Sequence, residues 1–122
     1  MNSSNDEILR FIASSFRSVW ALELLVVLKS DRRAWPHDEL VSTMRASELV
    51  VTKALEALEA AGLVSNEGGR AQYMPVNDDI AALVDKSEAL YAKRPDAVRR
   101  AIVSASSDGA AAFADAFKLR KS

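Results

Sequence analysis

Cysteine is absent from this chain of 122 residues. Its absence excludes disulfides, zinc–thiolate sites, iron–sulfur clusters and a thiol nucleophile, and it suits a reducing compartment. There is one histidine, His37, so a histidine-cluster metal site is excluded as well. His37 reads as a surface residue near a turn, and its neighbours Asp38 and Glu39 as helix-start residues rather than ligands. Long hydrophobic runs are also missing. The longest, Trp20 to Leu28, is interrupted by Glu23 and closed by Lys29, far short of the roughly 20 apolar residues that span a bilayer. The N-terminus, Met1 to Glu7, is polar and acidic and has neither the basic nor the apolar region of a secretory leader. No sign of charge dominates: 16 basic and 17 acidic residues leave a formal net charge of −1. A DNA-binding domain is more comfortably basic, because neutralising phosphates supplies much of its affinity. Gly68-Gly69 lacks the lysine and spacing of a phosphate loop, and no Ser/His/Asp arrangement stands out. These absences lead us to expect a soluble, cytoplasmic protein that is not an enzyme and holds no metal or cofactor.

What is present is ordinary for a globular fold, with 49% hydrophobic and 27% charged residues, and the length fits one domain. Ser3, Ser4, Asn5 and Asp6 are candidate N-caps for a first amphipathic helix carrying Ile8, Phe11, Ile12 and Phe16. Ser14-Ser15 and Ser18 interrupt that pattern, and Ser18 can cap a second helix. This one, Val19 to Ser30, is apolar on nearly every side, as a buried central helix would be. Trp20 and Trp35 read as packing residues.

Arg33-Ala34-Trp35 is a short extended candidate, since the residue before Pro36 is pushed away from helix. A helix from Asp38 to Met44 offers Leu40, Val41 and Met44 to a core. Arg45-Ala46 is a tight link and Ser47 the cap of the next helix, Glu48 to about Ala61. There Val51, Leu55 and Leu58 share one face with Ala54 and Ala61 beside them. Gly62 suits a left-handed helix end. Leu63 to Ser65 reads as a short strand, Asn66-Glu67-Gly68-Gly69 as a hairpin turn, and Arg70 to Val76 as the returning strand. Asn77 or Asp78 starts a helix to about Arg94, with Ile80, Leu83, Val84, Leu90 and Tyr91. Pro95 suits the first position of another helix, where Asp96 to Ala105 presents Val98, Ile102 and Val103. Ser104 to Gly109 is linker-like. Ala110 to Ser122 is a short Ala/Phe segment with Phe113 and Phe117 four apart and a basic end at Lys118, Arg120 and Lys121.

The stretch Ala46 to Val64 resembles the recognition helix and first wing strand of winged helix-turn-helix transcription regulators. Leu58-Glu-Ala-Ala-Gly-Leu-Val64 is similar to the end of that helix in MarR-type and related bacterial repressors. The resemblance covers roughly Val19 to Val76, at the level of the superfamily. It implies a mainly α fold with a small β-hairpin wing: a winged helix-turn-helix at 18–76, an N-terminal helical extension at 1–17, C-terminal helices at 77–106 and a linker and tail at 107–122. It further implies a regulator that reads double-stranded DNA with helix 48–61 and the wing around 66–70. Arg45, Ser47, Glu48, Thr52 and Lys53 would then contact the groove or its phosphates, and Arg70 would meet the backbone or minor groove.

Two further expectations concern partners. Apolar residues of the N-terminal helix (Phe11, Ile12, Phe16) or of the C-terminal helices (Leu83, Leu90, Tyr91, Val98, Ile102) could join a homodimer. The tail, through Phe113 and Phe117, could dock on its own domain, a second subunit or another protein. A competing reading comes from Glu48, Glu56 and Glu59, three carboxylates on the free face of helix 48–61. A winged-helix adaptor could bind a protein, such as transcription machinery, through that acidic face or the tail.

Overall fold

The structure, a computed structural model, describes residues 2–105. The segment at 107–122, with its Phe113/Phe117 pair and basic end, lies outside the described residues. Six helices and three short strands follow one another: α1 (Asn2–Ser15), α2 (Val19–Ser30), β1 (Trp35–Pro36), α3 (His37–Met44), α4 (Glu48–Ala60), β2 (Val64–Glu67), β3 (Arg70–Tyr73), α5 (Asp78–Lys93) and α6 at 95–105. The fold is mainly helical, with one small antiparallel sheet ordered β1-β3-β2. Among the described residues no single helix is long and apolar enough to cross a membrane.

Local chemistry sets most element ends. Ser18, Ser47 and Asn77 each sit in extended backbone before a helix, and their side-chain oxygens accept from the main-chain nitrogens of Ala21, Val50 and Ile80. Each such cap is worth about 1 kcal/mol. At α1 the polar candidates at 3–6 lie inside the helix, which begins at Asn2. α3 begins one residue early, at His37, because Pro36 supplies extended backbone immediately before it without a side-chain cap.

The hairpin is tighter than the sequence suggests. Asn66 and Glu67 belong to β2 and pair with Ala71 and Arg70, so only Gly68 and Gly69 turn. Both have positive φ, 60° and 75°, the pattern of a two-residue turn whose twist matches the flanking strands. The strands are offset accordingly: β2 starts at Val64 and β3 stops at Tyr73, although Met74 and Val76 still donate to the carbonyls of Leu63 and Gly62. Gly62 has φ +78°, and a Cβ there would meet Val76 Cγ1 at 3.2 Å, so that helix end requires glycine.

The core gathers Ile12 and Phe16 of α1, Leu22, Leu24, Leu25 and Leu28 of α2, Leu40 of α3, Leu55 and Leu58 of α4, and Val98 and Ile102 of α6. α2 packs on α4 and on β3, while α1 packs on α5. The chain bends by 101° between α1 and α2. Ile12, Phe16, Val98 and Ile102, offered above as a dimer surface, are each at most 1% exposed within the single chain. Two expected core residues are not in it: Trp20 is 45% and Val103 54% exposed. For Trp20 the reason is angular. Ala21, Leu24, Leu25 and Leu28 define the inner side of α2, and at 100° per residue Trp20, Glu23 and Val27 fall on another side.

Two polar groups fasten the outer helices. Lys29 Nζ lies 3.0 Å from Asp85 Oδ1 and 2.7 Å from Glu88 Oε1, and the Tyr91 phenol donates to Glu23 Oε2. Both tie α2 to α5.

Candidate nucleic-acid interface

α3 and α4 are joined by a turn of three residues, Arg45 to Ser47. Arg45 is in the left-handed region (φ 53°, ψ 41°), and its N–H donates back to Ser42 and Val41. Ala46 N also donates to Val41 O at 3.3 Å. That reversal swings α4 away from α3 and leaves its N-terminal half on the surface, while Val51, Ala54, Leu55 and Leu58 are buried.

The hairpin is held beside the other end of α3. His37 N donates to Gly69 O at 3.0 Å, and the His37 Nε2 to Asn66 Oδ1 distance is 2.8 Å. His37, half-buried, is thus a clasp between α3 and the turn rather than a loose surface residue. β1 adds its pairing, with Pro36 opposite Arg70.

The six candidate residues fall in two places. Arg45, Ser47, Glu48, Thr52 and Lys53 lie at or just after the α3–α4 turn, and all but the half-buried Thr52 are exposed. The Ser47 hydroxyl oxygen is engaged as the cap of α4, 3.1 Å from Val50 N. Arg70 is exposed on β3, directly after the glycine pair. About 12 Å of α3, eight residues at about 1.5 Å each, separates the end that carries Arg45 from the end that meets the hairpin. Lys53 also borders an apolar groove of about 300 Å³, shared with Arg17, Ser18, Trp20, Val50 and Ala57.

The centre of the outward face is a residue that sequence reasoning passed over. Leu49, Lys53, Glu56 and Ala60 form one exposed stripe at three- and four-residue steps, and Leu49 is 64% exposed. Rotation alone would have found it, because Leu49 precedes the core residue Val51 by two positions, about 200° around the helix. Trp20 was missed for the same reason. It stands between the groove just described and a second of about 460 Å³, lined by Val19, Trp20, Glu23, Val27, Thr43 and Met44.

Charges on this side are mixed. Glu48, Glu56, Glu59 and Glu67 are exposed alongside Arg45, Lys53 and Arg70. Arg33 is already engaged: its guanidinium sits 3.1 and 2.5 Å from the Glu39 oxygens and 2.8 Å from Asp31, and 3.9 Å over the Trp35 ring. Hydrogen bonding to Glu39 first, and to Asp31 second, pushes the Arg33 pKa above its ordinary range. The same contact holds Glu39 below the usual carboxylate value. Among the described residues no group of three His, Asp or Glu side chains is placed to hold a metal ion. Comparison with known proteins finds no matching family model, no matching curated protein and no matching solved structure.

Proposed function

We propose that this chain is a cytoplasmic DNA-binding transcription regulator of the winged helix-turn-helix class, with α4 as its recognition helix and the β2–β3 hairpin as its wing. The observation that carries the reading is the order α2–β1–α3–α4–β2–β3 combined with sheet order β1-β3-β2. Such an arrangement frees the N-terminal half of α4 for a major groove and a glycine-tipped hairpin for the adjacent backbone. Arg45 and Lys53 flank that half of α4, and Arg70 follows the tip. None of the three forms an ion pair among the described residues, so all three are available to phosphate.

A gel shift or anisotropy titration on genomically enriched DNA fragments tests this, with salt varied. Each phosphate contact removed lowers the slope of log affinity against log salt by about 0.9. The double variant Lys53→Ala/Arg70→Ala is expected to bind more weakly, with a slope shallower by about 2. An unchanged slope on discrete sites would refute these contacts, and no retention of DNA at low salt would refute the reading itself.

The exposed Leu49, amid Glu48, Glu56 and Glu59, favours a second reading, a winged-helix adaptor that binds a protein through α4. A partner that co-purifies with the wild type but not with Leu49→Asp would decide for it. As for copy number, a dimer would present two such surfaces to two half-sites, and light scattering counts the copies.

A further inference from the structure

We propose that the C-terminal segment of this same chain, residues 110–121, docks in the groove between α2 and α3, with Phe113 and Phe117 against Trp20. The groove is an unexplained feature of the fold. Trp20, Val27 and Met44 make it largely apolar, Glu23 adds a carboxylate, and a nearly half-exposed tryptophan stands at its edge. About 460 Å³ holds two phenyl groups.

Three observations select this occupant. The first is where the described chain ends. Arg99 of α6 lies 5.6 Å over the Tyr91 ring, and the Tyr91 phenol donates to Glu23, a lining residue of the groove. Arg99, six residues before the last described residue, 105, is therefore linked through Tyr91 to the groove lining. Eight residues from 105 to 113 reach at most about 27 Å when extended, enough to cross the face of a domain this small. The second is composition. Phe113 and Phe117 are the only aromatic residues after Tyr91, and a spacing of four is the one at which a helical turn would bring two rings to one side. The third is charge. Lys118, Arg120 and Lys121 follow Phe117, and the groove lining carries one charged side chain, the carboxylate of Glu23. The sign of that lining charge is thus complementary to the chain's own basic end.

The inference is independent of DNA binding and is tested without DNA, on the full chain. The Trp20 indole N–H resonance, assigned by its loss in Trp20→Phe, is followed in wild type and in Phe113→Ala/Phe117→Ala. Neither residue is among the described core residues. Docking predicts a clear shift of the Trp20 signal in the double variant and none of Trp35, a buried residue whose Nε1 donates to Asp31 O. In parallel, tryptic cleavage after Lys118 is timed; Phe113→Ala/Phe117→Ala and Trp20→Ala should each accelerate it by about tenfold or more, with no further gain in the triple variant. A Trp20 signal and cleavage rates that do not respond to the phenylalanines would overturn the proposal. So would a response that appears only as protein concentration rises, which would assign the groove to the tail of a second copy.

Discussion

Tyr73 is the clearest case of a side chain whose parts obey different rules. Its ring is buried, it supports Arg32 at 5.1 Å, and it belongs to the core. Its hydroxyl is fully covered and has no hydrogen-bond partner among the described residues. A buried hydroxyl without a partner carries a desolvation penalty of about 1 to 3 kcal/mol, so the ring is there for its area and the oxygen contributes nothing favourable. Tyr73→Phe is therefore expected to leave the urea midpoint at neutral pH unchanged or raise it, by up to about 1 kcal/mol in stability. A loss of more than that would mean that the hydroxyl has a partner the geometry does not reveal. Trp20 and Leu49 show the converse. They are large apolar side chains on the surface, and single exposed residues of this kind are ordinary. Trp20 differs in standing between two grooves, a setting better suited to contact than to water.

At the level of elements, α2, α4 and α5 were readable because each is specified twice, by its apolar residues and by a cap. Ser18, Ser47 and Asn77 stop the chain where Val19, Glu48 and Asp78 begin. The hairpin was readable as a turn, but its length was not: Asn66 and Glu67 are turn formers that instead take places in β2, held there by pairing with Ala71 and Arg70. The candidate site was legible where it is local: spacing places Arg45, Ser47, Glu48, Thr52 and Lys53 in the α3–α4 turn and the first turns of α4, and Arg70 directly after the glycine pair. Clasping of the hairpin by His37 was invisible, since a contact between positions 37 and 66 leaves no mark in local sequence. The α3–α4 link supplies the prediction at this scale. Arg45 adopts φ 53°, a conformation that costs a residue with a Cβ about 1 to 2 kcal/mol, and glycine adopts it freely at some loss of unfolded-state entropy. Arg45→Gly should raise stability by about 0.5 to 1 kcal/mol in a denaturant titration, while removing one cation from the proposed DNA face. Stability and DNA affinity would then move in opposite directions, and affinity that rises with stability would show that Arg45 touches no DNA.

For the whole molecule, the decisive seam is that between α2 and α5, with β3 alongside, because three groups there are held protonated. Burial pushes the Tyr73 phenol up, with the Asp85 charge adding to it. Burial also raises Tyr91, followed by its hydrogen bond to Glu23. Lys29 is raised chiefly by its hydrogen bond to Glu88. In each case the folded pKa exceeds the unfolded one, near 10.0 for the phenols and 10.5 for the lysine. The folded state therefore binds more protons than the unfolded state over the interval between the two values, and stability falls as pH rises through it. Below about pH 10 the contribution is fully present. The seam predicts a protein whose urea midpoint is flat from neutral pH to about 9 and declines steeply beyond 10. Tyr73→Phe/Tyr91→Phe should show a distinctly shallower decline, whatever its midpoint at neutral pH, because two of the three titrating groups are gone. Lys29→Met should remove the part of the decline that the lysine carries, and its loss at neutral pH should be modest, since Asp85 and Glu88 are 62% and 39% exposed and return to water. An alkaline slope equal to wild type in the double tyrosine variant would place the alkaline sensitivity elsewhere in the chain, and the assignment of the decline to the two phenols of this seam would have to be abandoned.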